Sequence, residues 1–348
     1  MSVTIADLFG IELPIIQAPM AGVQGSALAI AVSSAGGLGS LPAAMLTVDA
    51  LRKEIAAIRA RTARPFNVNF FCHAAPVADA RREAAWRDTL APYYDELAVG
   101  RDTPPAGPAR EPFNDAFADV VEELRPPVVS FHFGLPDERL LERVRKSGAK
   151  VLSSATTVDE ARWLAARGVD AVIAQGVEAG GHRGMFLTDD VTTQLGTFAL
   201  LPQIVDAVRV PVIAAGGIAD ARGVAAAFAL GAAGVQIGTA YLLCAEATTS
   251  AVHRAALQSD AARHTALTNV ITGRPARGIV NRLMRELGPM RDAVPAFPLA
   301  TNAVTPLRAA AEARGSGDFS PLWSGQNASQ CRATSAATLT RELASQLR

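Results

Sequence analysis

Short runs of continuously apolar residues alternate with longer runs of helical periodicity along most of this chain. Pro14–Ala18 predicts a buried strand and Ser26–Ala35 a helix, with Gly36, Gly37 and Gly39 punctuating the next stretch. Over Val48–Arg61 the apolar residues Leu51, Ile55 and Ile58 repeat at i, i+4 and i+7, the spacing of one helix face. Phe66–Phe71 reads as a strand, and Val128–Phe133 as another after the Pro126-Pro127 stop. Then come a helix over Asp137–Ser147 ended by Gly148, a strand over Val151–Ser154, and a helix over Thr157–Arg167 ended by Gly168. The pattern continues with strand Ala171–Gln175, helix Thr197–Val208, strand Val210–Ala215, helix Ala221–Leu230 ended by Gly231, and strand Gly234–Gly238.

Strands that are apolar throughout belong to a parallel sheet covered on both faces. With Leu38–Leu41 as the second, the strands number eight, which predicts an α/β fold of the (β/α)8 TIM-barrel type. An open doubly wound sheet is the competing architecture. Two stretches break the rhythm. Ala75–Leu124 holds two helical patterns and a Pro/Gly-rich loop, Thr103–Pro112, and Ala251–Asp318 is helical and then Pro-rich. Both follow strand ends, so they are expected to form a smaller, mainly helical lobe over the barrel mouth, where it would cover a substrate. The expected division is a barrel from 1–74, 125–250 and 319–348, and a lobe from 75–124 and 251–318. Pro321-Leu322-Trp323-Ser324-Gly325-Gln326 is too apolar for a loose end and is expected to pack back.

Composition narrows the chemistry. Lys plus Arg and Asp plus Glu stand at 33 each, and no basic block marks a nucleic-acid or membrane face, so small-molecule partners are expected. Cys72, Cys244 and Cys331 are odd in number and far apart, which argues against a disulfide framework and a structural zinc site. No metal site is expected. A reducing cytoplasm fits, no signal peptide is read at the N-terminus, and no apolar run is long enough to span a bilayer.

In a barrel of this kind the site lies where strands end and loops begin. The first strand ends Gln17-Ala18-Pro19-Met20-Ala21-Gly22, which on its own reads as a simple turn. In the third, Asn67 and Asn69 share a side, and an inward amide must find partners. It could satisfy neighbouring backbone or hold the carbonyl and N–H of a heterocycle. The fourth ends Ser130-Phe131-His132-Phe133-Gly134; a lone histidine such as His132 is ordinarily a satisfied structural residue. The sixth strand leads into Gly176-Val177-Glu178-Ala179-Gly180-Gly181-His182-Arg183-Gly184, the most specific signal in the chain. Adjacent glycines let backbone N–H groups approach a bound ring, and His182 on a loop, with an ordinary pKa of about 6.5, suits proton transfer. The competing view is a Gly-rich turn with an incidental histidine. The seventh and eighth strands end in Ala215-Gly216-Gly217-Ile218 and Gln236-Ile237-Gly238-Thr239-Ala240, the usual makings of a barrel phosphate site. Tight turns required by the fold are the alternative there. Dinucleotide fingerprints, G-x-S-x-G, H-E-x-x-H and the P-loop pattern fail or are absent.

These pieces resemble the nitronate monooxygenase family, and within it the bacterial class I group. The resemblance rests on Gln17 through Val23, Asn67-Val68-Asn69-Phe70-Phe71, Val129 through Pro136, Gln175 through Phe186, Gly216-Gly217-Ile218 and Gln236 through Ala240, and runs from about residue 5 to 330. It implies an FMN-dependent barrel enzyme that oxidises alkyl nitronates, such as propionate 3-nitronate, with O2 to a carbonyl compound and nitrite. By position it assigns FMN contacts to Met20, Asn69, Gln175, Gly180, Gly181, Gly216, Gly217, Gln236, Ile237, Gly238 and Thr239, with the phosphate near Gly217, Gly238 and Thr239. It makes His182 the catalytic histidine, as a base toward a neutral nitroalkane or as a cation holding the nitronate, and puts His132 on the substrate side. One departure concerns Phe297-Pro298-Leu299-Ala300-Thr301-Asn302, where the resemblance would place tyrosines; Arg308 is the candidate basic group there. The expected partners are a nitronate and O2, with the chain a monomer or homodimer. An NADH-dependent flavin reductase on the same fold, acting on an enoyl thioester or a quinone, is the competing function, and a non-enzymatic ligand-binding barrel the third.

Overall fold

The computed structural model describes residues 4–104 and 110–347, so positions 105–109 of the Pro/Gly-rich loop expected over Thr103–Pro112 lie outside the described residues. The strands are β1 (Ile15–Gln17), β2 (Gly39–Pro42), β3 (Phe66–Phe71), β4 (Val128–His132), β5 (Lys150–Ala155), β6 (Ala171–Gln175), β7 (Gly181–His182), β8 (Val212–Ala215), β9 (Gly234–Ile237), β10 (Thr265–Thr268) and β11 (Ala276–Ile279). Eight of them form one parallel sheet in the order β1-β9-β8-β6-β5-β4-β3-β2. A parallel bridge between Ile16 and Leu38 joins its two ends, with Gln17 N donating to Leu38 O at 3.0 Å and Leu38 N to Ile15 O at 2.9 Å. The sheet is therefore a closed TIM barrel and not an open doubly wound sheet.

Alternation along each strand sorts side chains between two cores. Ile15, Val68, Phe70, Val129, Phe131, Val151, Val172, Val212 and Val235 face the helices in one large apolar cluster. Ile16, Leu38, Val128, Leu152, Ala171, Ile173 and Ile213 face inward, and Ile5 and Phe9 close over them. Those two come from the helix Ile5–Phe9, a feature too short to announce itself by periodicity; Thr4 caps it by accepting from Asp7 N. Towards the C-terminal ends of the strands the inward positions turn polar: Ser40, Asn67, Asn69, Ser130, His132, Ser154, Gln175 and Gln236. The apolar filling stops there and a cleft begins.

The barrel helices are Ser26–Ser34, Val48–Arg61, Asp115–Leu124, Glu138–Lys146, Val158–Ala166, Thr197–Ala207, Ala221–Ala229 and Ala336–Leu343. Asp115–Leu124 corrects the division expected from sequence. Phe117, Ala118, Val120 and Val121 are buried in the barrel cluster, so this helix covers the sheet and does not belong to the lobe. Its apolar face looks the same in sequence whichever core it meets. Likewise Phe319, expected in the barrel, is buried with the lobe. The lobe core gathers Trp86, Leu90, Tyr93 and Tyr94 of helix Ala80–Leu97 against Leu283, Met284, Val304 and Leu307 of the later insertion. Tyr94 Oη donates to Ala303 O at 2.7 Å across that contact. No described helix is long and apolar enough to cross a membrane.

Candidate active site

An open cleft lies at the C-terminal ends of the barrel strands. Its larger part spans about 1040 Å³ of empty space, open to solvent, and is lined by Met20, Asn69, His132, Gln175, Gly180, Gly181, His182, Gln236 and Thr239 among others. It runs into a second part of about 520 Å³, lined by Gly216, Gly217, Ile237, Gly238, Thr239, Gly325 and Asn327. His132, His182 and every residue to which the resemblance assigns an FMN contact line one part or the other, and Gln175, Gly180, Gln236 and Thr239 line both; Asn67 lines neither.

The first strand exit is held by two glutamines. Gln17, fully buried, accepts from Ser40 N at 3.0 Å and donates to Gln24 Oε1 at 2.6 Å; Gln24 Oε1 also accepts from Met20 N at 3.0 Å. This fixes the Ala18–Met20 turn along the cleft. The two asparagines of β3 take different roles. Asn67 Nδ2 donates to Ser40 Oγ at 3.0 Å and Ser130 Oγ at 2.9 Å, inside the barrel. Asn69, one layer higher, donates to Ser130 O at 3.2 Å and still lines the cleft.

The Gly-rich segment after β6 is not a free loop. Gly181 and His182 form β7, which pairs antiparallel with Ala276 and Arg277 of β11 in a small sheet completed by β10. This corrects the expectation of a loop histidine; a two-residue strand paired to a segment ninety-odd positions away leaves no local signature. Arg183 anchors the segment from below. Fully buried, it donates to Gln194 Oε1 at 2.9 Å, Gly176 O at 2.6 Å and Gln175 O at 2.6 Å. Burial lowers its pKa to about 10. Gln175 clasps the segment from the strand, with Nε2 donating to His182 O at 3.1 Å and Oε1 accepting from Gly184 N at 2.7 Å. An amide has a second hydrogen and a second lone pair, so Gln175 retains bonding capacity toward the cleft.

His132 is tied to the same segment. Its Nε2 lies 3.1 Å from His182 O and its Nδ1 3.1 Å from Ser154 Oγ. A carbonyl can only accept, so Nε2 carries the proton and Nδ1 accepts from the serine hydroxyl. Burial lowers the pKa of His132 to about 4, which keeps this tautomer neutral. Both ring nitrogens are thus engaged, and what His132 offers the cleft is ring surface.

His182 stands among aromatic rings: Phe297 at 5.1 Å, Trp323 at 5.5 Å, Phe133 at 6.1 Å and Phe71 at 6.4 Å between centroids. Its Nε2 is 2.9 Å from Thr272 Oγ1, and Nδ1 has no hydrogen-bond partner among the described residues. Burial, followed by the positive charge of Arg110, pushes its pKa well below the ordinary histidine value. Phe133, in the left-handed region at φ 70°, is held by Arg274, whose guanidinium carbon lies 4.2 Å from its ring centroid.

At the other end Gly216 and Gly217 adopt φ of 118° and 72°, backbone that favours glycine. Helix Ala221–Ala229 does not offer a bare N-terminus, because Asp220 caps it by accepting from Gly223 N at 2.9 Å. The turn after β9 begins at Gly238 with no side-chain cap. Thr239 Oγ1 accepts from Gly325 N at 2.9 Å, which leaves its own hydrogen free to donate. Asn327 Nδ2 donates to Gly217 O at 2.9 Å, and Gln326 N to Glu178 O at 3.0 Å, so the apolar tail does pack back over this end.

Gly180 is where tail and Gly-rich segment touch. A Cβ there would lie 2.5 Å from Gly325 N and 2.6 Å from Ser324 C, both backbone atoms that cannot yield cheaply. Gly180→Ala is expected to cost about 1–3 kcal/mol and loosen the tail, seen as faster proteolysis around Trp323; unchanged cleavage would show the contact to be slack.

Sequence reasoning missed Arg110, Ser154, His253 and Trp323, all of which line the cleft. It also looked to Arg308 for a basic group, but Arg308 is committed to Glu312 at 2.8 Å and does not line the cleft. None of the four sits in a motif, and the segments that deliver three of them are distant in sequence from the barrel strand ends.

The sequence model of the nitronate monooxygenase family matches residues 2–346. A nitronate monooxygenase of Paraburkholderia phytofirmans is 45% identical over 347 residues, covering 98% of this chain and 94% of its own. That of Pseudomonas aeruginosa is 43% identical over 351 residues, 98% of each chain. Among solved structures, a nitroalkane oxidase from Streptomyces ansochromogenes superposes with a TM-score of 0.89 at 40% identity, over 99% of this chain and 97% of its own. FabK from Thermotoga maritima does so with a TM-score of 0.71 at 28% identity, over 99% and 95%. Fold and site together define a TIM-barrel oxidoreductase. The chain belongs to the nitronate monooxygenase family.

Proposed function

We propose that the cleft holds FMN, with its phosphate at the Gly217–Gly238–Thr239 end and its ring toward His182, and that the enzyme oxidises alkyl nitronates with O2 to a carbonyl compound and nitrite. The observation that carries this reading is the two-ended cleft itself: glycines at one end, a neutral imidazole with an unengaged Nδ1 at the other. The polar lining suits a heterocycle. Gln236 Oε1 is buried without a partner where the two parts meet, an acceptor that a bound ring N–H would satisfy. A Cβ on Gly238 would stand 3.4 Å from Ala18 Cβ and 3.5 Å from Met20 Sδ, narrowing the floor on which a ring would lie.

When bound, FMN would supply the electron acceptor that lets a nitronate react with O2. The chain's own part is to bind, orient and manage protons. Gly216, Gly217 and Gly238 expose backbone N–H groups to an anion, and Thr239 adds a hydroxyl donor. Met20, Asn69, Gln175, Gly180, Gly181, Gln236 and Ile237 border the ring. His182, neutral at physiological pH, takes a proton at Nδ1 from a neutral nitroalkane, and the rings of Phe71, Phe133, Phe297 and Trp323 keep water away from it. His132 fixes the His182 carbonyl and presents ring surface to the substrate.

Two measurements test this. Purified protein should carry an oxidised-flavin spectrum and release nitrite from propionate 3-nitronate; rapid anaerobic bleaching by NADH without nitrite production would instead favour the competing flavin-reductase reading. Thr239→Ala should weaken FMN retention about tenfold, the worth of one hydrogen bond to a charged group. Equal flavin content after dialysis would count against the phosphate assignment.

A further inference from the structure

Arg110 is the one guanidinium that lines the cleft among the described residues, and no Asp or Glu lines either part of it. Its only side-chain hydrogen bond among those residues runs from Nη1 to the neutral Thr301 Oγ1, at 3.4 Å. The charged neighbour that acts on it, Arg308, has the same sign. A largely buried guanidinium without a counter-charge is costly unless an anion arrives to pair with it.

Its place is fixed from behind. His73, 5% exposed, has Nε2 3.1 Å from Arg110 O, so Nε2 carries the proton and donates. His73 Nδ1 is buried without a partner. The His73 ring lies 4.9 Å from Phe297, and Phe297 lies 5.1 Å from His182. One continuous set of packed rings thus links the backbone of Arg110 to the imidazole proposed to act on substrate.

We propose that Arg110, held by His73, is a specificity-determining residue that anchors a planar two-oxygen anion on the substrate. The inference rests on the proposed nitronate oxidation. A guanidinium fork matches such an anion bidentately. The anion is either the nitronate group itself or a carboxylate on the substrate's tail, and both present the same pair of oxygens.

The test compares holoenzyme and Arg110→Met on two nitronates, one with a plain alkyl tail and one with a carboxylate tail, alongside calorimetric titration with nitrate as an unreactive planar anion. Arg110→Met should raise KM about 10- to 100-fold with kcat little changed, and abolish nitrate binding. A rise for both substrates identifies the nitronate as the anchored group, and a rise for the carboxylate substrate alone identifies the tail. Arg110→Lys should recover part of the loss by restoring charge without the fork. His73→Phe, which removes the donor but keeps a ring against Phe297, should shift KM in the same direction as Arg110→Met. Unchanged KM on both substrates in Arg110→Met, or a fall in kcat at constant KM, would overturn the proposal. Should the wild-type enzyme fail to consume either nitronate, the functional reading falls, while nitrate binding lost with Arg110 still supports the anchor.

Discussion

His182→Asn is expected to keep its flavin and lose about 10²–10⁴-fold in turnover of a neutral nitroalkane, the usual worth of a general base. Asparagine is close in size and can still meet Thr272, whose Oγ1 lies 2.9 Å from the imidazole Nε2, so β7 should remain paired with β11. What it lacks is a basic nitrogen at the Nδ1 position. The low pKa of His182 gives the experiment its resolving power, because the ring enters the cleft neutral and a resting cation is disfavoured. A preformed nitronate has already lost its proton. If His182 acts as a base, the asparagine variant should fail on nitroalkane and retain most activity on nitronate. Equal losses on both would assign it to holding the anion instead. Activity unchanged on both would remove it from the mechanism.

Acidification between pH 6.5 and 4 is expected to destabilise the protein steeply, before most surface carboxylates are neutralised. Burial lowers His73, His132 and His253 to about 4, and His182 well below the ordinary value. In the unfolded chain each returns to about 6.5. Between those values the unfolded state binds more protons, so stability is full above pH 6.5 and is lost as pH falls toward 4. At about 1.4 kcal/mol per pKa unit, His73, His132 and His253 each contribute on the order of 3 kcal/mol to the loss, and His182 acts in the same direction. Urea midpoints measured at intervals from pH 7.5 to 4 would check this. A midpoint flat down to pH 4.5 would contradict it. His253→Gln should blunt the slope; its Nε2 lies 3.1 Å from Trp323 O, a bond that the glutamine amide can replace.

Much of the scaffold was legible in the sequence because it is locally encoded. Apolar runs such as Ala171–Gln175 and the periodic Val48–Arg61 face specify their elements without reference to the rest of the chain. The strand-end glycines were legible for a similar reason: φ values of 72° at Gly217 and 73° at Gly181 suit glycine far better than other residues. Helix Asp115–Leu124 shows where legibility fails. Its apolar stripe, Phe117, Val120 and Val121, announces a helix but not which core receives it, and only packing against the barrel decides that.

The Gly-Gly-His segment draws the same boundary at the site. Its composition already marked a candidate site, with glycines that permit close backbone approach and a titratable ring beside them. Its state was set by residues far away: β11 turns it into a strand, Arg183 and Gln175 pin its carbonyls, and Phe297 and Trp323 enclose its imidazole. Arg110 and His253 reach the cleft because segments outside the barrel strands pack back over the strand ends. Sequence determined the barrel and its glycine turns and singled out His182 as the candidate ring, since these arise from local spacing and backbone freedom. The tertiary structure alone decided the protonation of that ring and the sign of the charge facing it, because burial and electrostatics sum over neighbours that the chain brings together only when folded.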